Sequence, residues 1–227
     1  MKIFSGFTVE SARILKKGGV GVIPTDTIYG IVGSALSHRA VNRIYRLRHR
    51  RPDKPMIILI DSLDDLKIFG IKIGDKTRKL FKEFWPGNVS ILLPCASKKF
   101  FYLHRGTKQL AFRLPAKRSL RRLLAITGPL VAPSANFEGK PPAKTIREAR
   151  NYFGEKVDPV RGRPRQQASA TGTSGRPASN GVDFYVDGGK LISKPSTLVT
   201  LNSGKISILR QGATRIRDEK YGSTSSP

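Results

Sequence analysis

Two short stretches of this 227-residue sequence place small polar side chains just after apolar runs that predict strands. Ser134 and Asn136 follow the run 129–132 within GPLVAPSANFEGKPPAK, and Thr25 to Thr27 follow the run 20–23. Strand ends in α/β proteins are where ligands bind, since backbone amides and short polar side chains there can reach a bound group. Ordinary turn chemistry, in which these residue types satisfy their own backbone, is the alternative and stays open.

A dense group of cations follows the helical pattern of residues 38–50. Such a run is usually a solvated helix face, but this one abuts Pro55 and the apolar run MIILI, so its charges gather at a helix-to-strand junction. Cations are favourable at a helix C-terminus, and together they would form an anion site. The six residues lie within twelve positions: Arg43, Arg46, Arg48, Arg50, Arg51 and Lys54.

Arg113 interrupts an apolar strand pattern in LAFRLP. An arginine in a strand usually faces solvent, but one near the strand's C-terminal end can project into a ligand crevice. Several other kinds of site are not indicated. The three histidines have no metal-ligand spacing, and CxxC, GxSxG, Walker and glycine-rich dinucleotide motifs do not occur. The remaining cations, hydroxyls and amide suit phosphate and carboxylate binding, with catalysis by positioning and charge neutralisation.

The amino-acid composition limits which binding partners and which cellular compartment are expected. The net charge is +26 and the isoelectric point about 10.8, which predicts either a polyanionic partner or unusual cytosolic ionic conditions. The partner would be a nucleotide, a nucleic acid or both. No apolar run reaches the roughly 20 residues of a membrane span, and MKIFSGFTVE lacks the features of a secretory signal. Cys95 is the single cysteine and lies in an apolar pattern, so we expect a buried thiol and a reducing, cytoplasmic compartment.

Helical and strand patterns alternate along most of the chain, which is typical of an α/β fold. The Gly-, Ser- and Arg-rich residues 159–182 contain no acid and predict a flexible insertion, and 216–227 a polar tail after a single domain spanning 1–215. Helices are predicted at 8–17, 38–50, 62–69, 75–84, 118–126 and 145–153. Strands are predicted at 20–23, 56–60, 89–93, 110–114 and 129–132, and in DFYVDGG, STLVTL and KISILRQGA, with a basic loop at 97–109.

Six motifs resemble, in order and spacing, those of the YrdC/Sua5 family of threonylcarbamoyl-AMP synthases, of the short type. They are PTDTIYG, RHRRPDKPM, LAFRLP, VAPSAN with GKPPAKT, STLVTL and ILRQGA. The resemblance implies a twisted sheet of mixed parallel and antiparallel strands, flanked by helices, with a large basic concave site. It also implies a nucleotidyltransferase that joins L-threonine, bicarbonate and ATP with Mg²⁺, releasing pyrophosphate. The product would pass to the machinery that modifies tRNA to N6-threonylcarbamoyladenosine, with no membrane partner.

The resemblance also implies roles for particular residues. Arg48 and Arg50 match the family's catalytic Lys-x-Arg pair. Thr27, Arg113 and Ser196 match threonine-binding positions, and no protein ligand to a metal is implied. The ATP-binding positions are Arg50, Lys54, Ser134, Asn136 and Arg210.

Three departures from the family accompany these matches: Arg48 stands for a lysine, Arg51 for a proline, and the insertion has no counterpart. A planar guanidinium is not equivalent to an ammonium, so the role of Arg48 is affected most. Residues 140–144 are the predicted shield over a labile intermediate. The alternatives are a catalytically idle RNA-binding protein on the same fold and a carbamoyl-transfer domain like that of hydrogenase-maturation proteins. The second is disfavoured because zinc-finger and acylphosphatase-like segments are absent from this sequence.

Overall fold

Apolar runs punctuated by Gly and Pro form the strands of one sheet in the computed structural model, which describes residues 2–51, 53–154, 181–202 and 205–216. The strands of these residues are β1 (Lys2–Phe4), β2 (Val20–Pro24), β3 (Tyr29–Ser34), β4 (Ile57–Leu59), β5 (Val89–Pro94), β6 (Gln109–Arg113), β7 (Leu130–Val131), β8 (Phe184–Val186), β9 (Thr197–Asn202) and β10 (Lys205–Arg210). The helices are α1 (Val9–Lys16), α2 (His38–Leu47), α3 (Asp75–Phe81), α4 (Phe101–His104), α5 (Arg118–Thr127) and α6 (Ile146–Phe153), with 3₁₀ turns at Leu63–Phe69 and Lys98–Phe100.

The ten strands lie in the order β1-β8-β2-β3-β7-β4-β6-β5-β9-β10. Neighbours β1/β8, β2/β8, β4/β6 and β5/β9 are parallel, and the remaining pairs are antiparallel. The predicted mixed sheet with helices is therefore confirmed, while the basic concave site remains a prediction. Among the described helices, none has the length and hydropathy needed to span a membrane.

Side chains alternate between two apolar clusters, one on each face of the sheet, as the period of two in a strand requires. Val22 and Ile31 pack in the larger cluster, whereas their neighbours Ile23 and Val32 pack in the smaller one. Helices α1 and α5 cover the smaller cluster, and α2 and α6 contribute to the larger. Both faces of the sheet are thus buried. Each fully buried large apolar side chain stabilises the fold by roughly 1.5–3 kcal/mol.

Helix α1 begins where the sequence predicts, because Thr8 caps it. Its hydroxyl accepts a hydrogen bond from Ser11 N at 3.1 Å, and Thr8 N donates to Ser11 Oγ at 3.0 Å. Ser37 caps α2 and Thr145 caps α6 in the same way. Such caps satisfy amides that have no intrahelical partner, so these short hydroxyl residues fix where each helix starts.

Some predicted elements were wrong or incomplete. Strand β3 occupies part of the segment read as a loop, because its edges pair with β2 and β7, and Gly33 allows α2 to approach closely. The basic stretch 97–109 is not a plain loop but holds a 3₁₀ turn and α4, since Phe100 and Leu103 are buried. The segment 62–69 is 3₁₀ rather than α, and β1 was not predicted.

The remaining predictions fall partly beyond the described residues. All of the predicted insertion except residues 181 and 182 lies outside them. The predicted polar tail also lies outside them, apart from Ile216, which is buried.

Candidate functional site

The Ser-x-Asn turn after β7 is held against the end of helix α2 by one buried arginine. Arg48 Nε donates to the backbone oxygen of Asn136 at 3.1 Å, and Nη2 donates to Asn136 Oδ1 at 3.2 Å and to Ser134 Oγ at 3.3 Å. Only 3% of Arg48 is exposed. Arg48 thus forms one polar cluster with two residues that lie 86 and 88 positions further along the sequence.

The geometry of Arg48 follows from how α2 ends. Arg48 is the C-cap residue, and His49 adopts a left-handed conformation with φ 51°. Arg50 N donates to Tyr45 O and His49 N to Arg46 O, which is the hydrogen-bond pattern of a Schellman motif. The His49 ring packs edge-on against Phe137 with a centroid separation of 4.7 Å, so the turn that ends α2 packs against the loop that carries Asn136.

Burial lowers the pKa of Arg48 to about 10, with a further lowering from Arg50 and an opposing effect from Glu138. The guanidinium therefore remains charged at neutral pH. Its Nη1 has no hydrogen-bond partner within the described part of the chain. A buried donor of this kind is costly unless it is paired, which favours binding of an anion at this point.

Arg50 and Lys54 lie beside Arg48 but already have partners. Arg50 Nε donates to the backbone oxygen of Lys54 at 3.0 Å and Nη2 to that of Pro55 at 2.8 Å. Lys54 Nζ lies 2.7 Å from Glu138 Oε1. Of the six predicted cations, Arg50 therefore lies beside Arg48 and shapes the loop that carries Lys54. Arg43, by contrast, pairs with Asp183 at 2.7 Å. The anion site itself stays a prediction.

Arg113, at the end of β6, is buried rather than facing solvent. Its Nη1 donates to Thr27 Oγ1 at 3.1 Å, and its Nη2 pairs with the Asp26 carboxylate at 3.1 Å. Burial lowers the pKa of Arg113, Asp26 opposes that shift, and Arg210 adds to it. Arg113 Nε has no hydrogen-bond partner among the described residues, so one edge of the guanidinium can meet a carboxylate.

The turn of residues 25–27, here called the threonine turn, approaches the Ser-x-Asn turn across Gly30. Gly30 pairs with Ser134 in an isolated antiparallel bridge. A side chain at position 30 would meet both Pro133 O and Thr25 Cγ2 at 3.4 Å. Within the hairpin tip, Thr25 Oγ1 and Thr27 Oγ1 lie 3.1 Å apart. Gly30 therefore leaves the two polar turns side by side.

The last two predicted residues lie on the far side of Arg113. Ser196 is 2% exposed and shares a 2.9 Å hydrogen bond with Ser90 of β5. Arg210 Nη2 donates to the backbone oxygen of Ser196 at 2.9 Å. Because the Arg210 charge also acts on Arg113, these residues extend the site beyond the threonine turn.

The contacts divide the predicted residues into two adjoining groups. The cation and Ser-x-Asn group contains Arg48, Arg50, Lys54, Ser134 and Asn136. The group around the β6 arginine contains Thr27, Arg113, Ser196 and Arg210. Gly30 lies where the two groups adjoin, so all nine predicted residues belong to one region of the fold.

Three contacting residues were not among the predicted site residues. Ser90 is a polar residue inside the apolar run VSILL, a signal that could have identified it. The sequence indicates Asp26 only as part of a turn and Glu138 only as one residue of the polar turn in GPLVAPSANFEGKPPAK. Among the described residues, no group of three His, Cys, Asp or Glu side chains could hold a metal ion.

Comparison with known proteins identifies relatives. The Sua5/YciO/YrdC family model, described as "Telomere recombination", matches residues 13–174. The threonylcarbamoyl-AMP synthase of Pyrococcus abyssi is 33% identical over 147 residues, covering 64% of this chain and 43% of that protein. The enzyme of the same name from Cellvibrio japonicus is 31% identical over 153 residues, covering 66% and 80%.

A solved structure has the same fold. Pyrococcus abyssi Sua5 in complex with L-threonine superposes with a TM-score of 0.75 at 25% identity, covering 99% of this chain and 65% of that one. The chain spans less than half the length of the first curated relatives it matches, 43% and 46%. The family model nevertheless covers more than half of this chain, including the threonine turn and the Ser-x-Asn loop. The chain therefore belongs to the Sua5/YciO/YrdC family.

Proposed function

We propose that this protein is an L-threonylcarbamoyladenylate synthase, a nucleotidyltransferase that makes threonylcarbamoyl-AMP and pyrophosphate from L-threonine, bicarbonate and ATP. The observation that carries the proposal is the junction at Gly30, where a cationic Ser-x-Asn group adjoins a hydroxyl and arginine group. The relatives named threonylcarbamoyl-AMP synthases and the neighbour solved with L-threonine support it.

The cationic group takes the nucleotide in this proposal. The unpaired Nη1 of Arg48 and the ammonium of Lys54 neutralise phosphate oxygens, and Ser134 and Asn136 contribute hydroxyl and amide groups. Arg50 holds the backbone at Lys54 and Pro55 and adds charge. A charge-assisted hydrogen bond contributes roughly 1.5–3 kcal/mol, so two or three of them account for micromolar to millimolar affinity.

The second group takes threonine. Arg113 presents Nε to the amino-acid carboxylate while Asp26 and Thr27 fix the plane of its guanidinium. Ser196, oriented by Ser90, lines the pocket for the small side chain. Arg210, anchored on the backbone of Ser196, reaches toward ATP from this side.

The reaction needs no side-chain nucleophile. The free amine of threonine attacks the carbon of bicarbonate, and water leaves to give a carbamate. A carbamate oxygen then bonds to the α-phosphorus of ATP as the bond from that phosphorus to the bridging oxygen breaks and pyrophosphate departs. The chain's cations neutralise charge that accumulates on the leaving group, and the two turns hold the reactants in line.

Mg²⁺ enters this proposal with ATP rather than as a resident ion. The described residues offer no three-ligand group, and Asp26 is already paired with Arg113. Mg²⁺ usually keeps several waters and binds substrate phosphates rather than a dedicated cage of protein ligands, which agrees with this donor set. We also propose a cytosolic location and transfer of the product to the tRNA-modifying machinery.

The test is ATP-dependent pyrophosphate release by the purified protein. We expect release that requires L-threonine, bicarbonate and Mg²⁺ together, with threonylcarbamoyl-AMP detected by mass spectrometry. Omission of threonine is the matched control, since contaminating ATPases do not need it. Pyrophosphate release that ignores threonine, in an assay where an established synthase responds to it, would contradict the proposal.

RNA binding is a second candidate, and the net charge of +26 favours it. Phosphate contacts release counterions, so affinity for tRNA should fall steeply between low and moderate salt. Filter binding with the full chain and with residues 161–181 deleted measures both the affinity and the part played by the insertion. Affinity that hardly depends on salt would exclude this candidate.

A further inference from the structure

Glu138 places a carboxylate inside the cation group that the nucleotide needs. Its Oε1 accepts a hydrogen bond from Lys54 Nζ at 2.7 Å, and its Oε2 accepts one from the backbone N of Arg51 at 2.6 Å. Its own backbone N donates to Arg48 O at 2.9 Å. The carboxylate is therefore bonded to the same Lys54 ammonium that a bound phosphate would contact.

The contact is accessible to solvent and weak enough to be exchanged. The Lys54 side chain is 50% exposed and that of Glu138 is 21% exposed. Ion pairs of this kind contribute about 0–1 kcal/mol, because water screens them and two long side chains must be ordered. A polyphosphate carries several negative charges, so it gains more from Lys54 than a single carboxylate does.

Charge strengthens the competition between carboxylate and phosphate. Arg50 attracts the Glu138 carboxylate, and Glu138 in turn acts on Arg48. The Glu138 carboxylate thus neutralises part of the positive charge of Lys54, Arg50 and Arg48 as long as no phosphate is bound. A bound triphosphate would experience repulsion from Glu138 unless that side chain moved away.

We propose that Glu138 limits nucleotide affinity by acting as an internal counter-ion that the phosphates of ATP displace from Lys54. The identity of the natural ligand rests on the proposed function, whereas the displacement itself does not. Displacement leaves the loop attached through Glu138 N and through the Asn136 side chain, which donates to the backbone oxygens of Phe137 and Lys140. The carboxylate therefore moves while the Ser-x-Asn turn stays in place.

A purely structural role for Glu138 makes the opposite prediction. If the carboxylate served only to hold the 137–140 loop against Arg51 and Lys54, then its removal would loosen the nucleotide site and weaken binding. A counter-ion role predicts tighter binding on removal. The sign of the change in affinity therefore separates the two roles.

The test is calorimetric titration of the full chain with inorganic tripolyphosphate and, separately, with MgATP. We expect Glu138→Gln to bind tripolyphosphate about threefold to tenfold more tightly at low salt, with a smaller gain at high salt. Asp64→Asn is the matched control: it removes one negative charge from a carboxylate that is 64% exposed and paired with Lys67 and Arg78. That variant should bind like the wild-type protein.

A double-mutant cycle tests whether the gain in phosphate affinity acts through Lys54. In a Lys54→Met background, Glu138→Gln should give a much smaller gain, because its main partner is gone. Should Glu138→Gln not fold, Glu138→Asp, with one methylene less of reach, must bind tripolyphosphate more tightly than wild type. Equal or weaker binding by a folded Glu138 variant overturns the proposal and leaves the proposed function intact. Absence of tripolyphosphate and MgATP binding by the wild-type chain overturns both.

Discussion

Arg48 retains a charged guanidinium where water hardly reaches it, because three of its hydrogen bonds end on the Ser-x-Asn turn. The family pattern has a lysine here, and a lysine has neither the fork nor the reach to make the same contacts. In this chain the residue therefore does two jobs. It shapes the turn with Nε and Nη2, and the proposed function assigns Nη1, which has no hydrogen-bond partner among the described residues, to the nucleotide.

Substitution of Arg48 should separate these two jobs. We expect Arg48→Ala to lower kcat/KM for ATP by roughly 10- to 100-fold, as loss of a charge-assisted hydrogen bond implies. Arg48→Lys should be intermediate, because charge is kept but the bonds to Ser134 and Asn136 are not. Threonine-dependent pyrophosphate release measures both. Arg46→Ala, an exposed neighbour at the end of the same helix, is the control and should retain activity.

Glu138 should leave a signature in the pH dependence of stability. The hydrogen bond from Lys54 lowers the pKa of Glu138 most, followed by that from the Arg51 amide, and the folded value is about 2 against an ordinary value of 4.5. A lowered pKa stabilises the folded state above pH 4.5, and that stabilisation disappears as the pH falls toward 2. We expect the difference in unfolding free energy between wild type and Glu138→Gln to stay near or below about 1 kcal/mol and to shrink across this window. Urea unfolding at several pH values measures the difference, and a difference that grows on acidification would contradict the assignment.

The sequence predicts these residues unevenly, for a physical reason. Ser134, Asn136 and Thr27 follow apolar runs, so their positions at strand ends can be read locally. The partners of Arg113 and Lys54 cannot be read in this way, because Asp26 and Glu138 come close only after distant segments pack. The charge pattern around Arg48 is compatible with a solvated helix face or with a junction of cations, and the burial of Arg48 excludes the solvated face for this residue.

At the scale of elements, the start of β9 is fixed by the chain that returns after β10. Gly212 N donates to Thr197 Oγ1 at 2.9 Å, and Ala213 N donates to Pro195 O at 2.8 Å. A side chain at position 212 would lie 2.2 Å from Pro195 O and 2.5 Å from the carbonyl carbon of Ser196. Only glycine therefore fits where the chain after β10 passes the start of β9, and this close contact fixes the position of Ser196.

Gly212→Ala should disturb the threonine side of the site. Its methyl group would collide with backbone atoms that cannot rotate away, so we expect a loss of about 1–3 kcal/mol in stability. Because Ser196 must shift, KM for threonine should rise more than KM for ATP. Gly6→Ala, where a methyl group meets nothing within 4 Å, is the control. Equal changes in both KM values would show that Ser196 does not line the threonine pocket.

Elements with strong local patterns were predicted well, and those formed by tertiary pairing were not. Helix α5 and strands β5 and β6 lie within one residue of their predicted bounds at each end. Strand β3 was missed because its glycines weaken the strand pattern, yet those glycines admit α2 and the threonine turn. Strand β1 has three residues and pairs only with β8 in the described sheet, so nothing local marks it.

At the scale of the molecule, the net charge of +26 should make folding sensitive to salt. Like charges repel one another more in the compact state than in the unfolded chain, and salt screens that repulsion. We expect the thermal midpoint to rise by several degrees between 20 mM and 300 mM KCl, measured by calorimetry. An equal osmolality of sucrose controls for solute exclusion. A midpoint that falls over this range would show that specific ion pairs outweigh the repulsion.

The strand order also has a consequence for biosynthesis. Strand β8 lies between β1 and β2, and both of its neighbours belong to the first 24 residues of the chain. During synthesis, β1 must therefore wait for residue 184 before its partner strand exists, and β2 lacks a partner along the same edge for that interval. Strand β8 thus inserts between two strands that are synthesised at least about 160 residues before it, and nascent chains released before β8 should depend on chaperones.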